Sequence, residues 1–129
     1  MSFRATNLNK RYPEREWIVT ECLFCKMVSG DIVPDVVFEN EKVLAFRDIN
    51  PQAPVHVLVI PRQHVETIDE LDDSKLAGEL LLGACSVARE LGLSKGYRVA
   101  INCKAEGGQE VYHVHLHVLG GRQMTWPPG

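Results

Sequence analysis

The sequence predicts an α+β domain, with a mainly antiparallel five-stranded sheet accompanied by one long and one short helix. Three observations predict it. Short β-favouring runs recur at Asp35–Glu39, Lys42–Asp48, Val55–Ile60, Tyr97–Cys103 and Tyr112–Val118, bounded largely by Gly, Pro, Asn or Asp. Only one segment, Leu76 to Leu91, is long enough for a helical crossover, which disfavours a doubly wound parallel sheet. The 129 residues leave room for one domain whose core needs no staples. The helices are expected to cover one face of the sheet.

Residues 1–20 show neither helical nor strand periodicity and read as a flexible N-terminal extension, with the folded domain over 21–129. Its basic residues raise a transit peptide as the competing reading, which Glu14 and Glu16 argue against. From Glu21 to Val28, Leu23, Phe24, Met27 and Val28 have helical spacing, and Gly30 offers a left-handed stop. The runs flanking Asn40-Glu41 form a hairpin. Pro51 and Pro54 make 49–54 a loop. Val55–Ile60 is apolar on both faces and therefore central, ending at Pro61. Leu76, Leu80, Ala84, Val87, Ala88 and Leu91 mark the long helix, with Asp72, Asp73 or Ser74 as cap and Gly92 as stop. Gly78 and Gly83 weaken it by roughly 1 kcal/mol each relative to Ala, so packing on the sheet must hold it. Gly107-Gly108 opens a loop into the last strand, and Trp126-Pro127-Pro128 is a tail too proline-rich for a helix.

The formal net charge of −3 and pI near 5.9 supply no positive field for nucleic acid or anionic lipid. No apolar run approaches the ~20 residues needed to cross a bilayer. The four cysteines follow no secretory signal, which predicts thiols in a reducing compartment. A soluble, cytoplasmic protein is expected, with nuclear residence left open.

Candidate chemistry centres on Tyr112–Val118. Strand alternation places His113, His115 and His117 on one face and Val114, Leu116 and Val118 toward the core. Three imidazoles in register are expensive to bury without a use. They could ligate a metal, or provide a nucleophile and its proton carriers, with His56 on a neighbouring strand completing a relay. Just upstream, backbone N–H groups of Gly107 and Gly108 and the Gln109 amide could meet an anion. A plain tight turn is the competing reading.

His113-Val114-His115-Leu116-His117-Val118, preceded by Gly107-Gly108-Gln109 and Asn102, resembles the histidine triad (HIT) superfamily. Phe46 to His56, Gly92 to Arg98 and Gly120 to Gly129 are similar to its Hint branch, the purine nucleoside phosphoramidases. The resemblance implies a HIT-like fold and a hydrolase of adenosine or guanosine 5′-monophosphoramidates, yielding AMP or GMP and an amine through a nucleotidyl-histidine. It assigns His115 as nucleophile, His117 to the phosphate and leaving group, and His56 to orienting the nucleophile. Asp48 would take the ribose hydroxyls, with Ile49 beside it, and Asn102, Gly108, Gln109 and Glu110 would lie on the phosphate side. Leu23, Phe24, Met27, Ile32 and Phe46 would line the purine pocket. Without the resemblance, core packing explains those apolar residues, and a turn explains Asp48.

Two positions depart from the familiar animal pattern. Glu110 stands where a serine can donate to phosphate, so only its backbone N–H would serve an anion. Cys22 and Cys25 form a CxxC pair, half a tetrahedral zinc site, a redox pair or two buried thiols. Some HIT proteins with this pair bind structural zinc, and the resemblance implies completion by His64 and His113. Catalysis itself would need no cofactor. The resemblance also implies a homodimer whose sheets join, with the tail near Trp126 reaching the partner's active site. Two other functions remain open: a zinc-dependent hydrolase using His113 and His115, and a nucleotide-binding interaction module.

Overall fold

The computed structural model describes Val19 and residues 21–129; the expected extension over 1–20 otherwise lies outside them. Helix α1 spans Leu23–Ser29, capped at its start by Cys22, whose sulfur accepts the Cys25 N–H. It stops at Gly30, whose φ of 88° is the left-handed conformation that a Cβ disfavours. Strands β1 (Val36–Glu39) and β2 (Val43–Arg47) form the predicted hairpin. The Asn40 carboxamide oxygen closes its turn by accepting the N–H groups of Lys42 and Val43. Strand β3 (Val55–Pro61) leads through a 3-10 turn, Ile68–Glu70, to helix α2 (Ser74–Glu90). Asp73 caps α2 by accepting from Lys75 and Leu76. Strands β4 (Tyr97–Ile101) and β5 (Leu116–Gly120) complete an antiparallel sheet in the order β1-β2-β3-β5-β4. The two-sided apolar strand β3 is its centre.

The helices pack on opposite faces, which corrects the expectation that both cover one. Val43, Ala45, Val57, Val59, Leu116 and Val118 bury against Leu80, Ala84 and Val87 of α2. The alternate residues Leu44, Phe46, Leu58 and Ile60 bury against Phe24 of α1. Strand alternation therefore feeds two cores, each fully buried aliphatic side chain contributing ~1.5–3 kcal/mol. Helix α1 packs over only part of its face, and on the remainder lie the histidines, with His56, His113 and His115 buried and His117 half-buried. Among the described residues no helix is long and apolar enough to cross a membrane.

The histidine strand is shorter than its alternation predicts. Strand β5 begins only at Leu116, so Tyr112 to His115 lie outside the ladder. The last β3–β5 pair is Val59 with Leu116. Pro61 has no N–H to continue the pairing, and Val114 turns its own N–H to the carbonyl of Val65 at 2.7 Å. His113 and His115 nevertheless remain on the α1 side, both edge-on to Phe24.

Of the two glycines inside α2, only Gly83 is explained by packing. A Cβ there would lie 3.3 Å from Val43 and 3.4 Å from Val59, whereas one at Gly78 would meet nothing within 4 Å. Replacing Gly78 by Ala is expected to raise the unfolding free energy by ~0.5–1 kcal/mol. Gly83→Val, which forces branched bulk onto β2 and β3, is expected to lower it by about 1–3 kcal/mol. Urea unfolding of both variants checks the contrast, and equal shifts would contradict it.

Candidate active site and metal centre

Two clusters of side chains meet on the α1 face, joined through His113. In the first, Cys22 and Cys25 from the start of α1 meet His64, just past β3, and His113. The four donor atoms lie within 4.8 Å of one another. His113 Nδ1 is 3.3 Å from Cys22 Sγ, 3.6 Å from Cys25 Sγ and 3.3 Å from His64 Nδ1, while Cys25 Sγ is 3.4 Å from His64 Nδ1. Tetrahedral zinc with ordinary Zn–S and Zn–N bonds requires donor separations of about 3.3–3.8 Å. The set fits.

Hydrogen bonding supports the same conclusion. His113 Nε2 is 2.8 Å from the carbonyl of Pro61, which can only accept, so Nε2 carries the proton and Nδ1 turns a lone pair into the cluster. The Cys22 thiol is pulled down to about 3, first by its hydrogen bond with Cys25 and further by His113, against the opposing effect of burial. Val19 and Cys25 direct backbone N–H groups at the two sulfurs. These are thiolate surroundings, and they fit a closed structural zinc site held by Cys22, Cys25, His64 and His113.

The second cluster lies where β3 and β5 pair. Gln52 donates its backbone N–H to His56 Nδ1 at 3.0 Å, which leaves the proton of neutral His56 on Nε2. That Nε2–H faces His117 Nδ1 at 2.9 Å, so His117 is also protonated on Nε2. His117 Nε2 is one of two buried side-chain polar atoms without a partner among the described residues. An unpaired buried donor is unfavourable by ~1–3 kcal/mol, which a bound acceptor would offset. The His115 and His117 rings are 5.0 Å apart. His115 donates its Nδ1–H to the carbonyl of His113 at 2.8 Å, leaving a lone pair on Nε2. Neighbouring imidazoles thus present opposite proton states, one a base or nucleophile and the other a donor.

Burial dominates the electrostatics of this row. It lowers the proton affinity of His56 and His115, and Asp48 opposes it without prevailing. His117 is lowered to about 4, by burial first and then by the neighbouring histidines. All three are neutral at pH 7. Asp48, His56 and His117 also bring ligand atoms together, but the proton on His56 Nε2 disqualifies that nitrogen as a metal ligand.

His56 is bonded to His117, not to His115, whose orientation comes instead from the His113 carbonyl. Asp48 closes an Asx turn by accepting from Asn50, and its other oxygen lies 3.5 Å from His56 Nε2. The donors expected of Gln109 are occupied: its amide donates to Glu66 and Val111 and accepts from Lys104, and its backbone N–H donates to Lys104. Gln109 therefore ties the loop down instead of offering an amide to an anion. The Gly108 N–H is likewise bonded, to Ala105. Asn102 is half-buried and Glu110 exposed, both beside this loop in sequence. Phe24 and Phe46 are core residues in edge contact, Met27 packs beside them, and Leu23 and Ile32 are 44% and 37% exposed. Ile49 is 98% exposed. The groups missing from the sequence-based set are all main-chain: Gln52 N–H and the Pro61 and His113 carbonyls. No side-chain pattern signals them.

The fold and site define a protein that holds a row of tautomer-fixed imidazoles on an antiparallel sheet beside a thiolate–imidazole cluster. Residues 29–124 match the pattern of the HIT domain, and the chain belongs to that family. An uncharacterised HIT-like protein of Synechococcus elongatus is 47% identical over 111 residues, covering 84% of this chain and 97% of that one. The 14 kDa zinc-binding protein of Zea mays is 50% identical, covering 83% and 87%. Adenylylsulfatase HINT1 of Arabidopsis thaliana is 48% identical, covering 83% and 76%. Among solved structures, a HIT family hydrolase from Legionella pneumophila superposes with a TM-score of 0.81 at 55% identity, covering 84% of this chain and 99% of that one.

The depressed histidines also affect stability. His117 stays neutral in the folded chain down to about 4, whereas an unfolded histidine takes its proton near ~6.5. Between those values the unfolded state binds more protons, so stability falls as pH is lowered through the window. The contribution is fully present above the window and gone below it. In urea titrations from pH 7 to 4, His117→Asn is expected to lose less stability than the parent chain; equal losses would refute the assignment.

Proposed function

We propose that the protein is a hydrolase that cleaves the P–N bond of purine nucleoside 5′-monophosphoramidates through a nucleotidyl-histidine on His115. The observation that carries this reading is the pair of opposed proton states: a lone pair on His115 Nε2 beside a buried, unpartnered N–H on His117. Attack by His115 Nε2 on phosphorus forms an N–P bond as the P–N bond to the amine breaks. The His113 carbonyl, already accepting from Nδ1, stabilises the positive charge that develops on the ring. His117 Nε2–H donates toward the phosphoryl group and the departing nitrogen, and His56 holds that tautomer. The amine leaves with the proton of His117 Nε2; water then cleaves the N–P bond, its hydroxyl going to phosphorus and its proton back to His117, which regenerates His115. In this reading Asp48 and Ile49 lie against the ribose, Asn102, Gly108 and the Glu110 N–H on the phosphate side, and Leu23, Phe24, Met27, Ile32 and Phe46 form the purine side. One relative is named an adenylylsulfatase, and adenylyl is the group transferred here.

The same reading assigns structural zinc to Cys22, Cys25, His64 and His113, supported by their spacing and by the zinc-binding name of the maize relative. Bound there, zinc would supply structure, clamping α1 to the chain that carries the histidines. A catalytic zinc on His113 and His115 is disfavoured, because His113 turns its only lone pair to the cysteines and holds its other nitrogen, protonated, on the Pro61 carbonyl.

With an adenosine phosphoramidate, His115→Ala is expected to lower turnover by at least roughly 10³-fold. The parent chain quenched in acid is expected to carry an adenylyl group on His115 by mass spectrometry. Brief EDTA treatment, which strips an open catalytic metal faster than a closed four-ligand site, is expected to spare activity. Full activity in His115→Ala would sink the mechanism. Bound AMP with neither turnover nor adduct would favour a binding module.

The homodimer belongs to this reading too. Strand β4 is a sheet edge, and Tyr97, Val99 and Ile101 on it are all more than a third exposed, as are Leu81 and Leu82 on α2. An exposed apolar edge invites a second copy. Sedimentation is expected to find a dimer that Val99→Lys shifts toward monomer; a monomeric parent chain at micromolar concentration would contradict it.

A further inference from the structure

We propose that Cys22 and Cys25 form a peroxide-oxidisable pair whose disulfide expels the metal and, through His113, loosens the nucleophilic histidine. The inference rests on the structural-zinc reading and extends it. Both sulfurs lie in the first turn of α1, three residues apart, and none of the four cysteines is in a disulfide. Cys25 is fully buried, whereas Cys22 is partly exposed, so an oxidant reaches Cys22 first.

The chemistry balances. The Cys22 thiolate attacks hydrogen peroxide, forming a sulfenic acid and releasing hydroxide. The Cys25 thiolate then attacks that sulfur, forming the disulfide and releasing a second hydroxide. Two electrons pass from the thiolates to the peroxide, and two protons convert the hydroxides to water. A disulfide holds its sulfurs about 2.05 Å apart, whereas two zinc-bound thiolates sit about 3.8 Å apart. Both sulfurs also lose the negative charge that binds the metal. Two imidazoles alone do not retain it.

The consequence reaches His115 by two routes. With the cation gone, the Nδ1 atoms of His64 and His113 remain 3.3 Å apart. His113 keeps its proton on Nε2, held by Pro61, so two lone pairs oppose each other unless His64 shifts its proton or one ring moves. Displacement of His113 moves the carbonyl that fixes His115 Nδ1–H. Second, Phe24 lies between the two cysteines in the chain and packs edge-on to both rings, with centroids 5.9 Å from His113 and 5.2 Å from His115. A sulfur contraction that twists the first turn of α1 therefore also disturbs His115. Misplacing a reacting group by about 1 Å costs on the order of 10²-fold in rate. The proposed device couples thiol redox state to catalysis without requiring the oxidant to reach the buried catalytic row.

The test uses the full chain reconstituted with zinc and treated with stepwise hydrogen peroxide. Zinc release is followed with a chromogenic chelator, the thiols by differential alkylation and peptide mass, and turnover with an adenosine phosphoramidate. The expected result is zinc release in step with a two-hydrogen mass loss across Cys22–Cys25, a far-UV spectrum that stays folded, and a rate lower by roughly 10–100-fold. Thiol reductant and zinc together restore the rate. Zinc retained while Cys85 or Cys103 oxidises overturns the switch but leaves the zinc reading intact. So does zinc lost with the disulfide formed and the rate unchanged. A chain that takes up no zinc on reconstitution overturns both.

Discussion

The structure of both clusters depends on how one residue, His113, is bonded. Its Nε2–H is fixed on the Pro61 carbonyl, its Nδ1 faces two cysteines and His64, and its own carbonyl accepts from His115. Three directional bonds from one fully buried residue leave little freedom of rotation. The Pro61 bond is decisive, because it chooses the tautomer. With the proton on Nδ1 instead, His113 would present a donor to the cysteines and His64 and could not serve as a ligand there. Pro61 thus has two effects: its missing N–H ends the ladder, and its free carbonyl orients the ring.

The second cluster obeys the same logic along a longer path. A backbone N–H that cannot reverse its polarity, at Gln52, sets the sense of the Gln52–His56–His117 chain and leaves an N–H at its far end. Burial then keeps all three rings neutral, overriding the carboxylate of Asp48 nearby. Neutrality matters because an imidazolium has no lone pair for attack and no acceptor for relay. The site is specified by which nitrogen carries a proton, and the main chain settles that.

Much of the fold was legible from hydrophobic pattern. Strand β3 reads as central because both its faces are apolar, and α2 shows its stripe, its Asp73 cap and the Gly92 stop. The opposed placement of the helices was less legible, since a seven-residue helix carries no signal of which face it meets. It follows from Val43 to Phe46 of β2 and Val57 to Ile60 of β3, which are apolar on both faces and require cover on both sides. The start of β5 is not legible, because alternation of side chains extends beyond backbone pairing: Val114 is buried like a strand residue but bonds to Val65. In the site, the histidines and cysteines are legible in the sequence, whereas nothing in it shows that the Gln109 amide is committed to three hydrogen bonds of its own. Side-chain identity reveals capacity, and only packing reveals occupancy.

The early end of the ladder is what gives adjacent histidines two different surroundings. Had β5 run on from Leu116 through Tyr112, the row of rings would have shared one pleated face at the regular spacing of alternate residues, in equivalent surroundings. Instead the chain leaves the sheet at His115 and is caught by Val65, next to His64. His64 and His113 thereby come within 3.3 Å of each other, on the cysteine side, while His115 and His117 stay with His56. A metal-binding set needs lone pairs converging on one point; a transfer site needs a lone pair and an N–H side by side. A regular strand would offer its three rings one environment, and the break just before β5 provides two. The two sets nevertheless stay linked, because the His113 carbonyl accepts from His115 while the His113 ring faces the cysteines.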